Sequence, residues 1–178
     1  EPDFGKLETF FRSMLQLWNQ DRPFVFSSMF YVGYGELMFE QNRLEEAERL
    51  IRRGFRIAQE GRSAKLFAPA AAALSAWYRS QGRFEQSRRL IESSEALLDE
   101  WGHRYWSRLL EAERVRLLAA ECSELPPASS RRIEEWIRDN EAMLSDDFPT
   151  HYYYCAITAI RGCMALGRFE EALGRIRP

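Results

Sequence analysis

The stretch Asn42-Arg43-Leu44-Glu45-Glu46-Ala47-Glu48-Arg49-Leu50 decides the fold, because the chain writes it three times. Gly82-Arg83-Phe84-Glu85-Gln86-Ser87-Arg88-Arg89-Leu90 repeats it, and so does Gly167-Arg168-Phe169-Glu170-Glu171-Ala172-Leu173. In each copy a turn residue tolerant of positive φ precedes Arg, a large apolar residue and Glu; two positions on, a small residue opens an amphipathic helix. This is the corner between two helices. Arg43 and Arg83 stand 40 residues apart and Arg83 and Arg168 stand 85, so two periods fit the second interval and a corner is expected near residue 125. Glu124-Leu125-Pro126-Pro127 lies there as a degenerate copy. Self-similarity at a fixed period marks a helical solenoid, in which no unit buries its apolar face alone and neighbours stack into a continuous core. The expected fold is all-α: about nine helices in antiparallel hairpins, forming an open right-handed superhelix over one domain, 1–178. The hairpins fall at about 24–60, 66–101, 104–144 and 151–178, the last truncated.

An apolar content of 46% suits a folded chain. The 25 basic and 27 acidic side chains leave a net charge of −2, so no overall field draws the chain to nucleic acid or an anionic membrane. Cys122, Cys155 and Cys163 are odd in number and lack framework spacing, which favours a reducing cytoplasm over a disulfide scaffold. No run of about 18 apolar residues could span a bilayer, and no signal peptide opens the chain. The sequence starts at Glu1 without Met and stops at Pro178 inside an expected helix, and so reads as a piece of a longer polypeptide.

Along the chain, Phe4, Leu7, Phe10, Phe11, Met14, Leu15 and Trp18 recur at helical spacing and predict an amphipathic helix. Residues 24–41 are apolar nearly all round and are expected to be buried on more than one side. The partner helix, Leu44 to Glu60, turns Leu44, Ala47, Leu50, Ile51, Phe55 and Ala58 inward and Arg52 and Arg53 to water, with Gly61 as its C-terminal stop. Gly35 with Ala47, and Ser75 with Ser87, are small-small pairs twelve residues apart that predict the helix crossings. Pro69 is expected in the first turn of its helix. In the third hairpin, Leu109, Leu110, Val115, Leu117 and Leu118 are expected to face Ile133, Trp136, Ile137 and Met143, with Ser129 or Ser130 as a cap.

The residues Tyr31, Tyr34, Gly35, Met38, Asn42, Leu44, Ala47 and Ile51 follow a large, large, small, large, turn, large, small, large order that resembles tetratricopeptide-like repeats. The 40-residue period is longer than the strict motif, so the hairpins are elongated. Arg104-Tyr105-Trp106-Ser107-Arg108-Leu109-Leu110-Glu111-Ala112-Glu113-Arg114-Val115-Arg116-Leu117, Glu135-Trp136-Ile137 and Ala165-Leu166-Gly167-Arg168-Phe169 are similar to a narrower group. This is the repeat region of large LuxR-type bacterial regulators like the maltose-regulon activator. The resemblance implies a region that senses an inducer or a regulatory partner, while the ATPase and DNA contacts lie elsewhere. A general tetratricopeptide-like adaptor with no link to transcription is the alternative.

Catalytic chemistry is not expected. Only His103 and His151 could act as near-neutral bases, and no Ser, Cys or Asp makes a local triad with them. His103 reads as a solvated or capping residue. His151 and Cys155 are half of a metal site without a second pair, so no metal or cofactor is expected. Gly33-Tyr34-Gly35 lies within an apolar helix and reads as helix packing, not a phosphate cradle. The Arg pairs Arg52/Arg53, Arg88/Arg89 and Arg131/Arg132, interleaved with Glu, read as a salt-bridged outer face. The candidate binding surface is a concave groove lined by the leading helices. By helical phase its outward residues are Glu36, Phe39, Glu40, Arg79, Glu113, Tyr154 and Arg161. An inducer or a protein or peptide partner would sit there, with self-association open and no nucleic-acid or membrane contact.

Overall fold

The turn residues adopt the conformation their identity permits: φ is 59° at Asn42, 68° at Gly82 and 72° at Gly167. In a computed structural model that describes residues 3–18, 24–121, 125–141 and 153–176, these corners join α-helices, and no strand occurs among the described residues. The helices are α1 (Phe4–Trp18), α2 (Ser27–Glu40), α3 (Leu44–Glu60), α4 (Ala64–Ser80), α5 (Phe84–Glu100), α6 (Arg108–Glu121), α7 (Pro127–Asp139), α8 (Tyr153–Ala165) and α9 (Phe169–Gly174). A short 3₁₀ turn at Arg104–Ser107 precedes α6. Neighbouring helices pack in pairs, as a tetratricopeptide-like stack requires.

The repeated nonapeptide owes its force to its backbone. At each corner the N–H of the left-handed residue bonds the carbonyl three back, as Asn42 does to Phe39 at 2.9 Å. The following N–H bonds the carbonyl five back, as in Arg43 to Met38 at 2.9 Å and Arg83 to Tyr78 at 2.9 Å. This Schellman pairing satisfies the last carbonyls of one helix. The carbonyl of that same Arg then accepts the first bond of the next helix, from Ala47, Ser87 or Ala172, at 2.9–3.1 Å. One residue thus ends one helix and starts another.

Two further corners use the same pairing without the sequence motif. Arg62, with φ 48°, and Gly102, with φ 73°, lead into Ser63 and His103, whose N–H groups reach Ala58 at 3.2 Å and Leu98 at 2.8 Å. The expected stop at Gly61 is therefore one residue early. Gly61 keeps ordinary helical geometry, and what requires glycine there is space, because a Cβ would stand 2.4 Å from Val25 Cγ2. Asn42, Arg62, Gly82 and Gly102 are spaced by twenty residues, half the period read from the motif.

The chain divides into two compact units, residues 1–107 and 108–178. In the first, α2 packs along α3, and both pack on α4, which packs on α5. Gly35 is the close crossing expected: a Cβ there would lie 2.5 Å from Ile51 Cγ1 and 3.1 Å from the Ala47 carbonyl. The Ser75 and Ser87 hydroxyls meet at 2.7 Å, fully buried, at the α4–α5 crossing. Met38, Ala47, Ile51, Leu74 and Trp77 centre the core. Gly33 lies against the Phe11 ring of α1, a packing contact.

Several expectations shift. Phe24, Phe26 and Met29 are exposed, so the start of the apolar stretch is not enclosed. Helix α4 begins two residues before the expected start, which puts Pro69 in its second turn; Pro69 and Lys65 both face water, so the carbonyl that loses its partner is solvated. Arg53 stacks over the Tyr31 ring at 4.6 Å, and Arg52 donates to the Tyr78 hydroxyl at 2.6 Å, so neither simply faces water.

In the second unit α7 is opened by Pro126 and Pro127, not by Ser129 or Ser130, which lie within its first turn. Helix α6 packs more extensively on α8 than on α7. Val115, Ile133, Trp136 and Ile137 share a core with Cys155, Ala159 and Cys163. The expectations placed on Cys122, Glu124, Met143, Leu144, His151 and Tyr152 lie outside the described residues.

Candidate functional site

Helices α2 and α4 carry four of the groove residues. Glu36 and Glu40, one turn apart on α2, are exposed; Phe39 on α2 and Arg79 on α4 are half-buried. Phe39 leans on the core, and Arg79 is engaged by the protein. Glu36 combines two properties. Its side chain reaches solvent, yet protein surrounds it closely enough that desolvation, with the Glu40 charge adding, raises its carboxyl above the ordinary range.

The second unit corrects the list. Glu113 is fully buried, not outward. Its Oε1 accepts from Arg116 Nη1 at 3.3 Å and from the Tyr154 hydroxyl. Arg116 lies over the Tyr154 ring at 3.8 Å and donates to Thr158 Oγ1 at 2.7 Å and to the Tyr154 carbonyl at 3.2 Å. Tyr154 is thus half-buried with its hydroxyl turned inward. The physical reason is that Leu110, Ala112, Val115 and Leu117 bury α6 on more than one side, so helical phase names no outward face. Arg161 on α8 is exposed. The structure therefore brings Glu36 beside Glu40, and Glu113 beside Tyr154.

A hollow that phase reasoning missed lies at the corners themselves. It is open to solvent and measures about 790 Å³ among Arg43, Glu46, Arg49, Trp77, Gln81 and Arg83, with Glu45 and Glu48 on its wall. Arg43 binds Glu46 at 2.6 Å and reaches across to Glu8 of α1 at 3.2 Å; Glu8 also accepts from the Tyr34 hydroxyl at 3.1 Å. Burial would raise the Glu8 carboxyl, but these bonds and the Arg12 charge outweigh it and hold it below the usual range. Arg83 instead lies over Trp77, 5.3 Å from the ring centre. The signal that could have found this hollow was present, since both arginines belong to the repeated motif.

Nothing among the described residues groups three or more metal-binding side chains. His103 is exposed, and Cys155 is buried, its thiol pushed up by desolvation. No helix among the described residues is long and apolar enough to cross a membrane. No curated protein and no solved structure matches the chain. A family model described as a MalT-like TPR region matches residues 6–176. Its span covers both units and every corner described above, and the chain belongs to the MalT-like TPR family.

Proposed function

We propose that this chain is the sensor or interaction region of a LuxR-type, ATP-dependent transcriptional activator, and that it holds an inducer or a protein partner without turning it over. The observation that carries the reading is the family match over residues 6–176. Support comes from the exposure of Glu36 and Glu40 on α2, a leading helix, the surface on which stacked helical hairpins hold ligands. Glu36, Phe39, Glu40 and Arg79 form the proposed groove in the first unit, with Arg161 as an exposed site on α8. Glu113 and Tyr154 are left out of it, since they bind each other. The protein would work in the cytoplasm, where its thiols stay reduced.

A thermal-shift screen of the full chain with sugars, amino acids and aromatic metabolites tests the reading, because a ligand that binds only the folded state raises its melting point. A saturable shift that Glu36→Gln or Arg79→Ala removes is the expected result. If no small molecule acts while a protein partner is captured and the same substitutions leave its binding intact, the groove is wrong.

A further inference from the structure

The repeated motif differs in one letter that changes the chemistry beside it. The first copy has Glu45-Glu46-Ala47 and the third Glu170-Glu171-Ala172, but the second has Glu85-Gln86-Ser87. Glu46 neutralises Arg43 at 2.6 Å, and Glu171 faces Arg175 at 3.1 Å. Gln86 brings no charge to the place where those copies bring a carboxylate.

Gln86 lines a hollow of about 410 Å³ between α3 and α5, floored by α4. Arg52, Phe55, Arg56 and Gln59 lie at i, i+3, i+4 and i+7 on α3 and make one wall; Gln86, Arg89 and Leu90 make the other. Leu74 and Tyr78 close the bottom. The corner hollow holds three arginines against three glutamates, whereas this one holds three arginines and no carboxylate in its lining.

The arginines are not equivalent. Arg52 is fixed from behind by Glu48 at 2.7 Å and by the Tyr78 hydroxyl at 2.6 Å, with the Tyr78 ring 5.2 Å away. Arg89 is tied to Glu85 at 2.8 Å. Arg56 has no hydrogen bond or ion pair among the described residues. The floor and the α3 wall are firmly packed, since Leu74 is 3% exposed and the Phe55 ring packs on Phe67 at 5.1 Å. Its volume falls within the range of small-ligand sites, about 300–1,000 Å³.

We infer that this hollow on the second-helix face binds a small amphipathic anion, an aromatic or aliphatic body on Phe55 and Leu90 whose carboxylate or phosphate is taken by Arg56 beside Arg52 and Arg89. The guanidinium fork suits either head group. The site is separate from the leading-helix groove proposed above and does not depend on it.

The test is calorimetric titration of the full chain with indole-3-acetate and with 1-naphthyl phosphate, against indole-3-ethanol and inorganic phosphate as controls. Saturable binding of either amphipathic anion, with neither control binding at the same concentrations, is the expected result, and the two probes tell carboxylate from phosphate. Arg56→Gln removes a charge-assisted contact and weakens binding by about tenfold. Gln86→Glu restores the acid of the other copies and weakens it at least as much. Both residues are at the surface, so an unchanged melting point confirms that each variant folds. Glu36→Gln leaves this affinity unchanged. Absence of binding by either anion, equal binding of the uncharged probe, or affinity insensitive to both Arg56→Gln and Gln86→Glu overturns the site. Loss on Glu36→Gln alone would place the anion in the leading-helix groove, overturning this inference while leaving the proposed function standing.

Discussion

Glycine serves two different purposes in this chain, and substitution separates them. At Gly35 the backbone is helical and the constraint is space, since a new methyl would meet Ile51 Cγ1 at 2.5 Å and the Ile51 backbone nitrogen at 3.0 Å. Gly35→Ala is expected to destabilise by about 1–3 kcal/mol through overpacking. At Gly82 nothing lies within 4 Å, and the constraint is the φ of 68°. Gly82→Ala is expected to cost about 1–2 kcal/mol from the left-handed backbone alone. Arg62 is the converse: it holds φ 48° with a side chain, so Arg62→Gly is expected to gain up to about 1 kcal/mol. Urea denaturation of the three variants reads all these values as shifts in midpoint at constant slope. Titration separates two carboxylates in the same way. Glu8 is held below its unfolded pKa by Arg43 and Tyr34 despite burial, so its contribution is present above the ordinary carboxylate range and is lost as pH falls through it. Glu36 is held above its unfolded value by desolvation and by Glu40, so its folded form binds its proton more tightly and stability falls as pH rises through the ordinary value to the folded one. Glu8→Gln is therefore expected to weaken the fold at neutral pH and to converge on the parent in acid. Glu36→Gln is expected to strengthen it at neutral pH and lose that advantage in acid. Chemical denaturation at a series of pH values checks both signs.

Among elements, the α4–α5 crossing rests on a buried polar contact where the α2–α3 crossing uses Gly35. Ser75 and Ser87 satisfy each other at 2.7 Å, and Ser87 can also donate to the Ser75 carbonyl at 3.2 Å. Ser87→Ala takes the partner from the buried Ser75 hydroxyl and is expected to cost about 1–3 kcal/mol, whereas after Ser75→Ala the Ser87 hydroxyl keeps the carbonyl of residue 75 and the cost is smaller; the double change removes donor and acceptor together and is expected to cost less than the sum. A double-mutant cycle in denaturant measures the difference. Both crossings were legible in the sequence because small residues twelve apart straddle a short turn. So were the bounds of α3, Leu44 and Glu60, although the left-handed residue that ends it is Arg62 and not the expected Gly61. The corners at Arg62 and Gly102 were not legible as members of the series. Their Schellman pairing uses only main-chain groups and a left-handed residue, and Arg is a poor advertisement for one. Helical phase failed at α6 for a related reason. Phase names an outward face only where one face is polar, and Glu113 lies among buried neighbours on a helix whose apolar residues spread around it. Of the groove residues, Glu36 and Glu40 were readable because α2 still has one solvated stripe.

Over the whole molecule, stacked helical hairpins store stability as local terms and nearest-neighbour terms, so a defect is expected to loosen the helices that share it before it unfolds the chain. The second unit offers the sharpest place to see this. Glu113 is fully buried and Arg116 nearly so, and with Tyr154 and Thr158 they form a network joining α6 to α8. Arg116→Met takes the Arg116 charge away from the buried Glu113 carboxylate, a change that costs about 3–5 kcal/mol when a buried pair is broken from one side. Glu113→Leu combined with Arg116→Met removes both charges and fills their volume with apolar groups, so it is expected to cost less than Arg116→Met alone. Native-state hydrogen exchange locates the effect. Amides of α6 and α8 are expected to lose protection in Arg116→Met and recover part of it in the double variant, while those of α2 and α3, which hold no member of the network, keep theirs. Uniform loss of protection across α2, α3, α6 and α8 would instead mean that the chain opens as one cooperative body, and the additive account of the stack would be wrong.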